Sequence, residues 1–168
     1  MEEGKRVKVF ATETRPRLQG AKLTVFELTK DGIPVTLITD GMAGFVLQRG
    51  LVDKVIVGAD RVLSTGHVVN KIGTLTIAIL AKRFNAPFYV AAPTSTFDLS
   101  SKPEEVEIEE RRPEEVRKVN GVYVTLPEVD VLNPAFDVTP PELVDAIITE
   151  RGVARPPYEE SVRKLLGA

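Results

Sequence analysis

The chain has 168 residues, of which 43% are hydrophobic and 27% are charged, and this length fits one domain with a substantial core. The 22 Lys and Arg against 24 Asp and Glu give a net charge of -2, which argues against a protein that coats nucleic acid. Because the chain has no Cys and one His, composition excludes disulfides, Cys-based zinc sites, iron–sulfur clusters, a cysteine nucleophile within this chain and multi-His metal sites.

Short apolar runs alternate with segments of helical spacing as far as residue 92. Strands are predicted at residues 7–11, 35–38, 54–58 and 88–92, and helices at residues 18–28, 43–48 and 74–84. The run at 54–58 is typical of a strand covered on both faces, and the helix at 74–84 is apolar nearly all round. An excursion with a turn at Thr65-Gly66 follows the third strand. The alternation predicts an α/β fold, a Rossmann-like parallel sheet with helices on both faces, as a single domain over residues 1–168.

The last third of the sequence is less regular. The acidic run at residues 104–115 is predicted to be a solvated surface excursion, and residues 122–124 are predicted as a late strand. Thr139 as N-cap and Pro140 at the first helical position predict a helix over residues 140–150. No apolar run reaches the roughly 18 residues of a membrane helix and the first residues do not resemble a signal peptide. We therefore expect a cytoplasmic protein that contacts no membrane.

Asp60 is the first candidate for a functional side chain. It stands just past the predicted strand at 54–58, on a turn of small residues, Gly58-Ala59. Ligands of open parallel sheets bind beyond the carboxyl ends of the strands. Partial desolvation there would favour the neutral form of the carboxyl group, which suits a general acid. The alternative is that Asp60 caps a turn or pairs with Arg61.

The segment Asn70-Lys71-Ile72-Gly73-Thr74 leads into the predicted helix at 74–84 and is the second candidate. Free N–H groups and the positive end of the helix dipole favour an anion there. Lys71 adds a point charge, and Asn70 or Thr74 can form hydrogen bonds. The glycine spacing of a P-loop is absent. The alternative is a simple N-cap beside a surface lysine.

Two further polar segments follow predicted strands, so all four candidates lie on one side of the predicted sheet. In the segment 13–20, Arg15 and Arg17 flank a proline and could clamp a phosphate, while Gln19 could bind hydroxyl groups. The alternative is a surface loop with ion pairs. The hydroxyls of residues 92–98 either line the same pocket or make turns. His67 is predicted to be exposed and non-catalytic.

Five motifs occur in order along nearly the whole chain. They are Glu13-Thr14-Arg15-Pro16-Arg17-Leu18-Gln19-Gly20-Ala21, Gly58-Ala59-Asp60-Arg61, Asn70-Lys71-Ile72-Gly73-Thr74, the segment from Pro87 to Asp98, and Asn133-Pro134-Ala135-Phe136-Asp137-Val138-Thr139-Pro140. Together they resemble the carboxyl-terminal domain of the S-methyl-5-thioribose-1-phosphate isomerase family, within the initiation factor 2B alpha/beta/delta-like superfamily. The third motif alone is shared more widely in that superfamily.

The resemblance implies roles for four residues. Asp60 matches the family's catalytic acid, Gln19 matches a substrate-binding Gln, and Asn70 with Lys71 matches a pair that binds the sugar phosphate. The implied reaction belongs to methionine salvage and interconverts an aldose 1-phosphate and a ketose 1-phosphate without metal or nucleotide cofactor. The resemblance also implies a homodimer through this domain, and the net charge of -2 predicts no nucleic-acid partner.

This sequence departs from the family's pattern in what it lacks. The family's catalytic Cys, an Arg-Gly-Ala loop and a further Arg lie upstream of the matched region. We therefore expect this chain to hold half of an active site. It would be a domain fragment, a processed product, or one piece of a split enzyme whose amino-terminal domain is a separate chain.

Two alternative functions stay open. A binding module, either a sugar-phosphate or nucleotide sensor or an assembly subunit like the regulatory subunits of the initiation-factor exchange complex, would keep the fold and the anion site without catalysis. A ribose-1,5-bisphosphate isomerase would need a second phosphate site in place of a methylthio pocket. The Asp in Gly58-Ala59-Asp60 and the segment 93–98 favour the methylthioribose-phosphate branch, because these relatives usually carry Glu at one or both places.

Overall fold

A computed structural model describes residues 4–167 of the chain. The described residues fall into two units, the first within Met1–Val46 and Arg111–Asn133 and the second within Leu47–Glu110 and Pro134–Ala168. Both units contain strands and helices, so the α/β class is confirmed. The single domain over residues 1–168 stays a prediction. Among the described residues, no helix has the length and apolar character needed to cross a membrane.

Strands and helices alternate along most of the chain. The strands are β1 (Val9–Thr12), β2 (Val35–Ile38), β3 (Val55–Val57), β4 (Arg61–Leu63), β5 (Val68–Lys71), β6 (Phe88–Ala91), β7 (Phe97–Asp98), β8 (Lys118–Val119), β9 (Val122–Tyr123), β10 (Phe136–Thr139), β11 (Ala146–Thr149) and β12 (Gly152–Ala154). The helices are α1 (Val25–Lys30), α2 (Ala43–Gln48), α3 (Thr74–Arg83), α4 (Glu114–Arg117) and α5 (Tyr158–Leu166). The four early strands and three early helices of the sequence prediction are confirmed as β1, β2, β3, β6, α1, α2 and α3.

Unit 1 is built on the parallel pair β1 and β2. The helix between them starts earlier than α1, as a π-helical turn at Gly20–Thr24. It ends where Gly32 adopts a φ of 67° and Ile33 donates a hydrogen bond back to the Leu28 carbonyl at 2.8 Å. A left-handed glycine in this position lets the chain turn away from the helix axis. In the second segment of unit 1, β8 and β9 form a short antiparallel hairpin.

Unit 2 contains a four-stranded sheet in the order β12-β11-β6-β3. The strands β3, β6 and β11 are parallel, and β12 is antiparallel to β11. The core beside them contains the fully buried side chains of Phe88, Val90 and Ile147 together with Ala78 from α3 and Val162 from α5. Burial of one such large apolar side chain stabilises the fold by about 1.5–3 kcal/mol.

A second sheet of unit 2 has the order β10-β5-β4-β7. The predicted turn at Thr65-Gly66 is confirmed as the hairpin between β4 and β5. Gly66 has a φ of +83°, and a Cβ atom on it would lie 2.4 Å from the Tyr158 ring. Glycine is therefore required at this position both by the backbone conformation and by the close approach of the ring. The antiparallel strand β10 pairs with β5 and was not predicted from the sequence.

Two burial predictions for unit 2 are wrong. The apolar strand β3 was expected to be covered on both faces, but Ile56 is 65% exposed. Side chains alternate between the two faces of a strand, so the face of β3 that carries Ile56 is open in the described structure, whereas Val55 and Val57 are half-buried on the other face. The helix α3, apolar nearly all round in sequence, was expected to be deeply packed, but Ile79 is 51% exposed and the buried face carries Ala78 and Ala81.

The prediction of a helix over residues 140–150 is wrong. The structure has a single 3-10 turn at Pro141–Leu143, followed by β11. Local signals favoured a helix start, because proline is common at the first helical position. Pairing with β6 decides the outcome, since Asp145 donates a backbone hydrogen bond to the Phe88 carbonyl at 2.9 Å. The β-branched residues Ile147 and Ile148 also suit a buried strand. The helix α5 was missed by the sequence analysis.

Candidate functional site

The β4–β5 hairpin carries three of the four predicted site residues. Arg61 pairs with Val69 in antiparallel register, and the backbone N–H of Asp60 donates to the Val69 carbonyl at 2.9 Å. This regular pairing ends at Arg61, and because the Asp60 N–H bonds to the residue already paired with Arg61, Asp60 lies outside the register, as at a β-bulge. Asp60 lies just before β4, and Asn70 and Lys71 are the last residues of β5, so all three are at the open end of the hairpin. Gln19, the fourth predicted residue, belongs to unit 1.

Lys71 is the last residue of β5 and projects from the other face of the strand, because successive side chains alternate. Its Nζ lies 4.3 Å from the centroid of the Phe136 ring, and Phe136 is its register partner in β10. A cation over an aromatic face is attracted by the ring quadrupole. A ligand that contacts both Asn70 and Lys71 must therefore lie at the end of β5, where the chain turns into α3.

The surroundings of Asp60 differ from the prediction. The side chain is exposed, so the partial desolvation expected at this position is wrong for the described structure. A Cβ atom added to Gly58 would meet nothing within 4 Å, which shows how open this turn is. The alternative ion pair with Arg61 is not formed either, because Arg61 pairs with Asp98 at 3.5 Å.

The amino end of α3 is capped by a carboxylate from β10. The backbone N–H of Gly73 donates to Oδ2 of Asp137 at 2.8 Å, and that of Leu75 donates to Oδ1 at 3.1 Å. Burial raises the pKa of Asp137, and the two backbone hydrogen bonds partly offset this rise. The helix end that the sequence analysis assigned to a ligand anion thus already holds an anionic side chain. The one signal for Asp137 in the sequence is its place in the fifth motif.

Asn70 and Lys71 are tied to the first turn of α3 by Thr74. Nδ2 of Asn70 donates to Oγ1 of Thr74 at 3.0 Å, and that hydroxyl donates to the Lys71 carbonyl at 2.7 Å. Thr74 itself is buried, so the hydroxyl is held in place by its surroundings. This arrangement uses the amide nitrogen of Asn70, and the carbonyl oxygen Oδ1 is the acceptor that Asn70 can offer to a ligand.

The hydroxyl-bearing loop after β6 makes turns. Oγ1 of Thr96 donates to the Pro93 carbonyl at 2.7 Å, and the backbone N–H of Thr94 donates to Oε2 of Glu150 at 3.0 Å. Hydrogen bonds from Thr94 lower the pKa of Glu150. These contacts favour the turn alternative for residues 92–98 over a pocket lining. His67 is half-buried rather than exposed, with Nδ1 2.8 Å from Oγ1 of Thr65.

Asp98 is expected to contribute a pH-dependent stability to unit 2. Hydrogen bonds from Ser101 and Ser100 hold the pKa of Asp98 well below its usual value of 3.8. A carboxyl with a lowered folded-state pKa adds stability above its unfolded pKa, and this stability is lost as the pH falls through the lowered value. Asp98→Asn is therefore expected to reduce the difference in urea midpoint between pH 7 and pH 2. The exposed Asp53→Asn is the control, and an unchanged difference in Asp98→Asn would contradict the assignment.

In unit 1 the predicted loop between β1 and the π-helical turn is held in an unusual backbone conformation. Thr14 and Leu18 both have a φ of 63°, which is rare for a β-branched residue such as Thr. The carboxylate of Asp40 fixes the loop by accepting hydrogen bonds from the backbone N–H groups of Thr14 at 2.9 Å and Arg15 at 2.7 Å. Such conformations persist where the surroundings determine them and are concentrated at functional sites.

The two arginines of this loop are engaged within unit 1. The guanidinium of Arg15 donates to the carbonyls of Pro16 at 3.2 Å and Val116 at 2.9 Å. Arg17 forms an ion pair with Glu115 at 2.6 Å, and this contact lowers the pKa of Glu115. The contacts of these two side chains therefore favour the alternative interpretation, a surface loop with ion pairs, over a phosphate clamp.

Gln19 is the one predicted residue with an unused buried polar atom. Its Oε1 is buried and has no hydrogen-bond partner in the described structure. A buried carbonyl without a partner costs about 1–3 kcal/mol, so such atoms in a folded chain point to a ligand or an ordered water. This observation supports the substrate-binding role that the resemblance implies for Gln19.

Replacing Gln19 with Met is expected to raise the free energy of unfolding by about 1 kcal/mol, because it removes a buried polar atom without a partner and keeps the shape of the side chain. Urea unfolding followed by circular dichroism measures the change. Gln48→Met, at an exposed position in α2, is the control and is expected to change stability by less than about 0.5 kcal/mol. A loss of stability in Gln19→Met would show that Oε1 is satisfied in the folded protein.

Unit 2 also contains an open cavity of about 740 Å³. Its lining includes Pro141, Val144 and Asp145, which lie before β11, and Tyr158 at the start of α5. It is therefore at the amino end of β11, whereas Glu150 follows the carboxyl end of that strand. None of the four predicted site residues is among its described lining residues, and we place the candidate site at the β4–β5 hairpin.

Fold and site together define an α/β protein that carries a carboxylate, an amide and an ammonium group around one hairpin end. The chain belongs to the Initiation factor 2 subunit family, whose model matches residues 1–156. The resemblance drawn from the five motifs is thereby confirmed at the level of the family.

Curated relatives and solved structures agree with this membership. The chain is 60% identical over 168 residues to a methylthioribose-1-phosphate isomerase of Thermotoga petrophila, covering 99% of this chain and 49% of that protein. It is 59% identical over 167 residues to the protein of the same name from Carboxydothermus hydrogenoformans, again covering 49% of it. The chain thus spans about half the length of these curated relatives.

Two crystal structures have the same fold. One, described as subunit delta of translation initiation factor eIF-2B from A. fulgidus, matches with a TM-score of 0.97 and 54% identity, covering 99% of this chain and 49% of that one. The other, a 5-methylthioribose 1-phosphate isomerase from Pyrococcus horikoshii, matches with a TM-score of 0.93 and 47% identity, covering 96% and 46%. Relatives carrying both names therefore share the fold of this chain.

Proposed function

We propose that this chain is the carboxyl-terminal part of a methylthioribose-1-phosphate isomerase and supplies about half of its active site. The observation that supports the proposal is that Asp60, just before β4, and Asn70 and Lys71, at the end of β5, lie at the same end of the β4–β5 hairpin. The names of the curated relatives, at about 60% identity over nearly the whole chain, support the substrate class. The family's other catalytic groups lie upstream of the matched region.

Asp60 acts as the acid in the proposed mechanism. Phosphate on the anomeric oxygen prevents the sugar ring from opening by simple hemiacetal chemistry. A carboxyl group must therefore protonate the ring oxygen as the bond from C1 to that oxygen breaks, which is general acid catalysis. The hydrogen on C2 then moves to C1, as a proton or a hydride, and the C2 hydroxyl loses its proton to become the ketone, which restores the proton given by the acid. Asn70 and Lys71 hold the sugar phosphate, and the resemblance also implies a substrate-binding role for Gln19.

The exposure of Asp60 gives the proposal a structural requirement. An acid that works near neutral pH needs surroundings that favour its neutral form, and the described surroundings of Asp60 are open to solvent. We infer that the half of the longer relatives without counterpart in this chain covers Asp60 during turnover. The cytoplasmic location and the homodimer expected from the sequence belong to the same proposal.

An assay of two proteins tests the proposal. The chain alone, and the chain joined to the upstream half of the Thermotoga petrophila relative, are given methylthioribose 1-phosphate, and the ketose product is followed by NMR. Turnover is expected for the joined protein and not for the chain alone. Full activity of the chain alone would refute the half-site, and a folded but inactive joined protein would refute the isomerase. Ribose 1,5-bisphosphate, offered in parallel, tests the second isomerase alternative.

A binding or assembly module is the second candidate function. The match to a structure described as an initiation factor 2B subunit, at 54% identity, favours it. Such a module would bind a sugar phosphate or a nucleotide tightly as this chain alone, whereas half of an active site would bind weakly because many contacts are elsewhere. Calorimetric titration of the chain with the two ligand classes separates these outcomes.

A further inference from the structure

The amino end of α3 is the most strongly defined anion position in unit 2, and a side chain fills it. The carboxylate of Asp137 accepts a hydrogen bond from the Gly73 N–H through Oδ2 and another from the Leu75 N–H through Oδ1. The two bonds come from residues 64 and 62 positions away in the sequence. A bidentate carboxylate on backbone N–H groups is a strong, charge-assisted contact, and it satisfies two of the donors at this helix end that a ligand phosphate could otherwise use.

The strand that brings Asp137 also brings the partner of Lys71. In the β5–β10 register, Phe136 lies opposite Lys71 and Asp137 lies opposite Asn70. Phe136 lies under the Lys71 ammonium group, and Asp137 fixes the turn from which Thr74 holds Asn70. The two predicted phosphate-binding residues are thus supported, one each, by two consecutive residues of β10.

We propose, resting on the proposed function, that Asp137 is a positioning residue that occupies the anion site of α3 and holds Asn70 and Lys71 in place for the substrate. The phosphate of the substrate is consequently bound by the side chains of Asn70 and Lys71 and not by the N–H groups of Gly73 and Leu75. Asp137 touches no reacting atom, so its effect is on affinity and not on the chemical step.

Formate tests the first half of this proposal, using backbone amide NMR signals of the whole chain. In the unchanged protein, formate is expected to leave the Gly73 and Leu75 amide signals in place, because Asp137 fills the position. In Asp137→Ala, formate is expected to shift both signals in a saturable way, since it replaces the lost carboxylate. A folded Asp137→Ala that does not respond to formate, or an unchanged protein that does, would overturn the proposal.

Inorganic phosphate tests the second half. Phosphate is expected to shift the side-chain amide signal of Asn70 in the unchanged protein. In Asp137→Ala the phosphate affinity measured from this signal is expected to be about tenfold lower, and added formate is expected to restore it. Asp145→Ala is the matched control, because Asp145 also accepts a backbone hydrogen bond, from Phe88 at 2.7 Å. It is expected to lose stability without losing phosphate affinity. Equal losses of affinity in both variants would reduce Asp137 to a structural role and overturn the proposal.

Two further outcomes are separated by the same design. An unchanged protein that ignores phosphate at Asn70 contradicts the phosphate contact of the proposed function, while the formate result still decides the place of Asp137. If Asp137→Ala does not fold, Asp137→Asn replaces it, since the amide keeps the shape and one acceptor. The Asp137→Asn substitution is expected to shift one of the two backbone amide signals, that of Gly73 or that of Leu75, strongly. If neither signal shifts, the proposal is overturned.

Discussion

Replacing Asp60 with Asn is expected to lower the isomerisation rate of the assembled enzyme by about 10²–10⁴-fold, the usual contribution of a positioned general acid. The amide has nearly the same shape and can still form hydrogen bonds, but it cannot give up a proton to the ring oxygen. The substrate's KM is expected to change little, because the proposed phosphate contacts are those of Asn70 and Lys71. The chain joined to the upstream half of the Thermotoga petrophila relative is the protein in which to measure this.

Two controls make this result specific. Asp53→Asn changes an exposed carboxylate in the same unit and is expected to leave kcat unaltered. Lys71→Met is expected to show the opposite split, with a raised KM and a smaller change in kcat, since it removes ground-state binding. An Asp60→Asn variant that turns over at the unchanged rate would remove Asp60 from the mechanism, whatever the result for Lys71.

Replacing Gly20 with Ala is expected to destabilise unit 1 by about 3 kcal/mol or more. A Cβ atom at this position would lie 1.8 Å from the Thr12 carbonyl oxygen and 2.7 Å from Oγ1 of Thr14. The first of these is a backbone atom of β1, which cannot move without disturbing the pairing with β2. The better helix propensity of Ala, worth about 1 kcal/mol, does not offset a clash of this size. The midpoint of urea unfolding measures the change.

Gly41→Ala provides the matched control in the same unit. Gly41 is exposed and would have no atom within 4 Å of an added Cβ, so the substitution is expected to be neutral or slightly stabilising. The contrast isolates the close approach of Gly20 from the general effect of losing a glycine. Equal stability of the two variants would show that β1 and the π-helical turn can separate at low cost. Because Gln19 precedes Gly20, weaker sugar-phosphate binding is expected alongside.

The alternating elements of the first half of the chain were predictable because each of them has a strong local signal. Apolar runs such as the one forming β6 are short and end at proline or polar residues, and periodicity identifies α3 well. The errors lie where pairing between distant segments decides the structure. Residues 140–150 carry a good helix start, but β11 forms because β6 is available as a parallel neighbour, and tertiary pairing outweighs local propensity.

The candidate site shows the same division. Asp60, Asn70 and Lys71 could be identified from their positions after a strand and before a helix, together with the family motifs. The anionic group at the start of α3 could not be identified in this way, because Asp137 is far from α3 in the sequence and its strand, β10, has no strong local signal. The exposure of Asp60 could not be predicted from the sequence either. Small neighbours such as Gly58 allow another group to approach Asp60 closely, but the sequence does not show whether any group does so.

Synthesis order has a consequence for the hairpin that carries Asn70 and Lys71. Asp137 reaches Gly73 across 64 positions, and closing a loop of that length costs about 4 kcal/mol of chain entropy. A growing polypeptide that ends before β10 can form the β4–β5 turn but leaves the start of α3 without its carboxylate. The β4–β5 hairpin therefore receives the carboxylate of Asp137 only after β10 has been made.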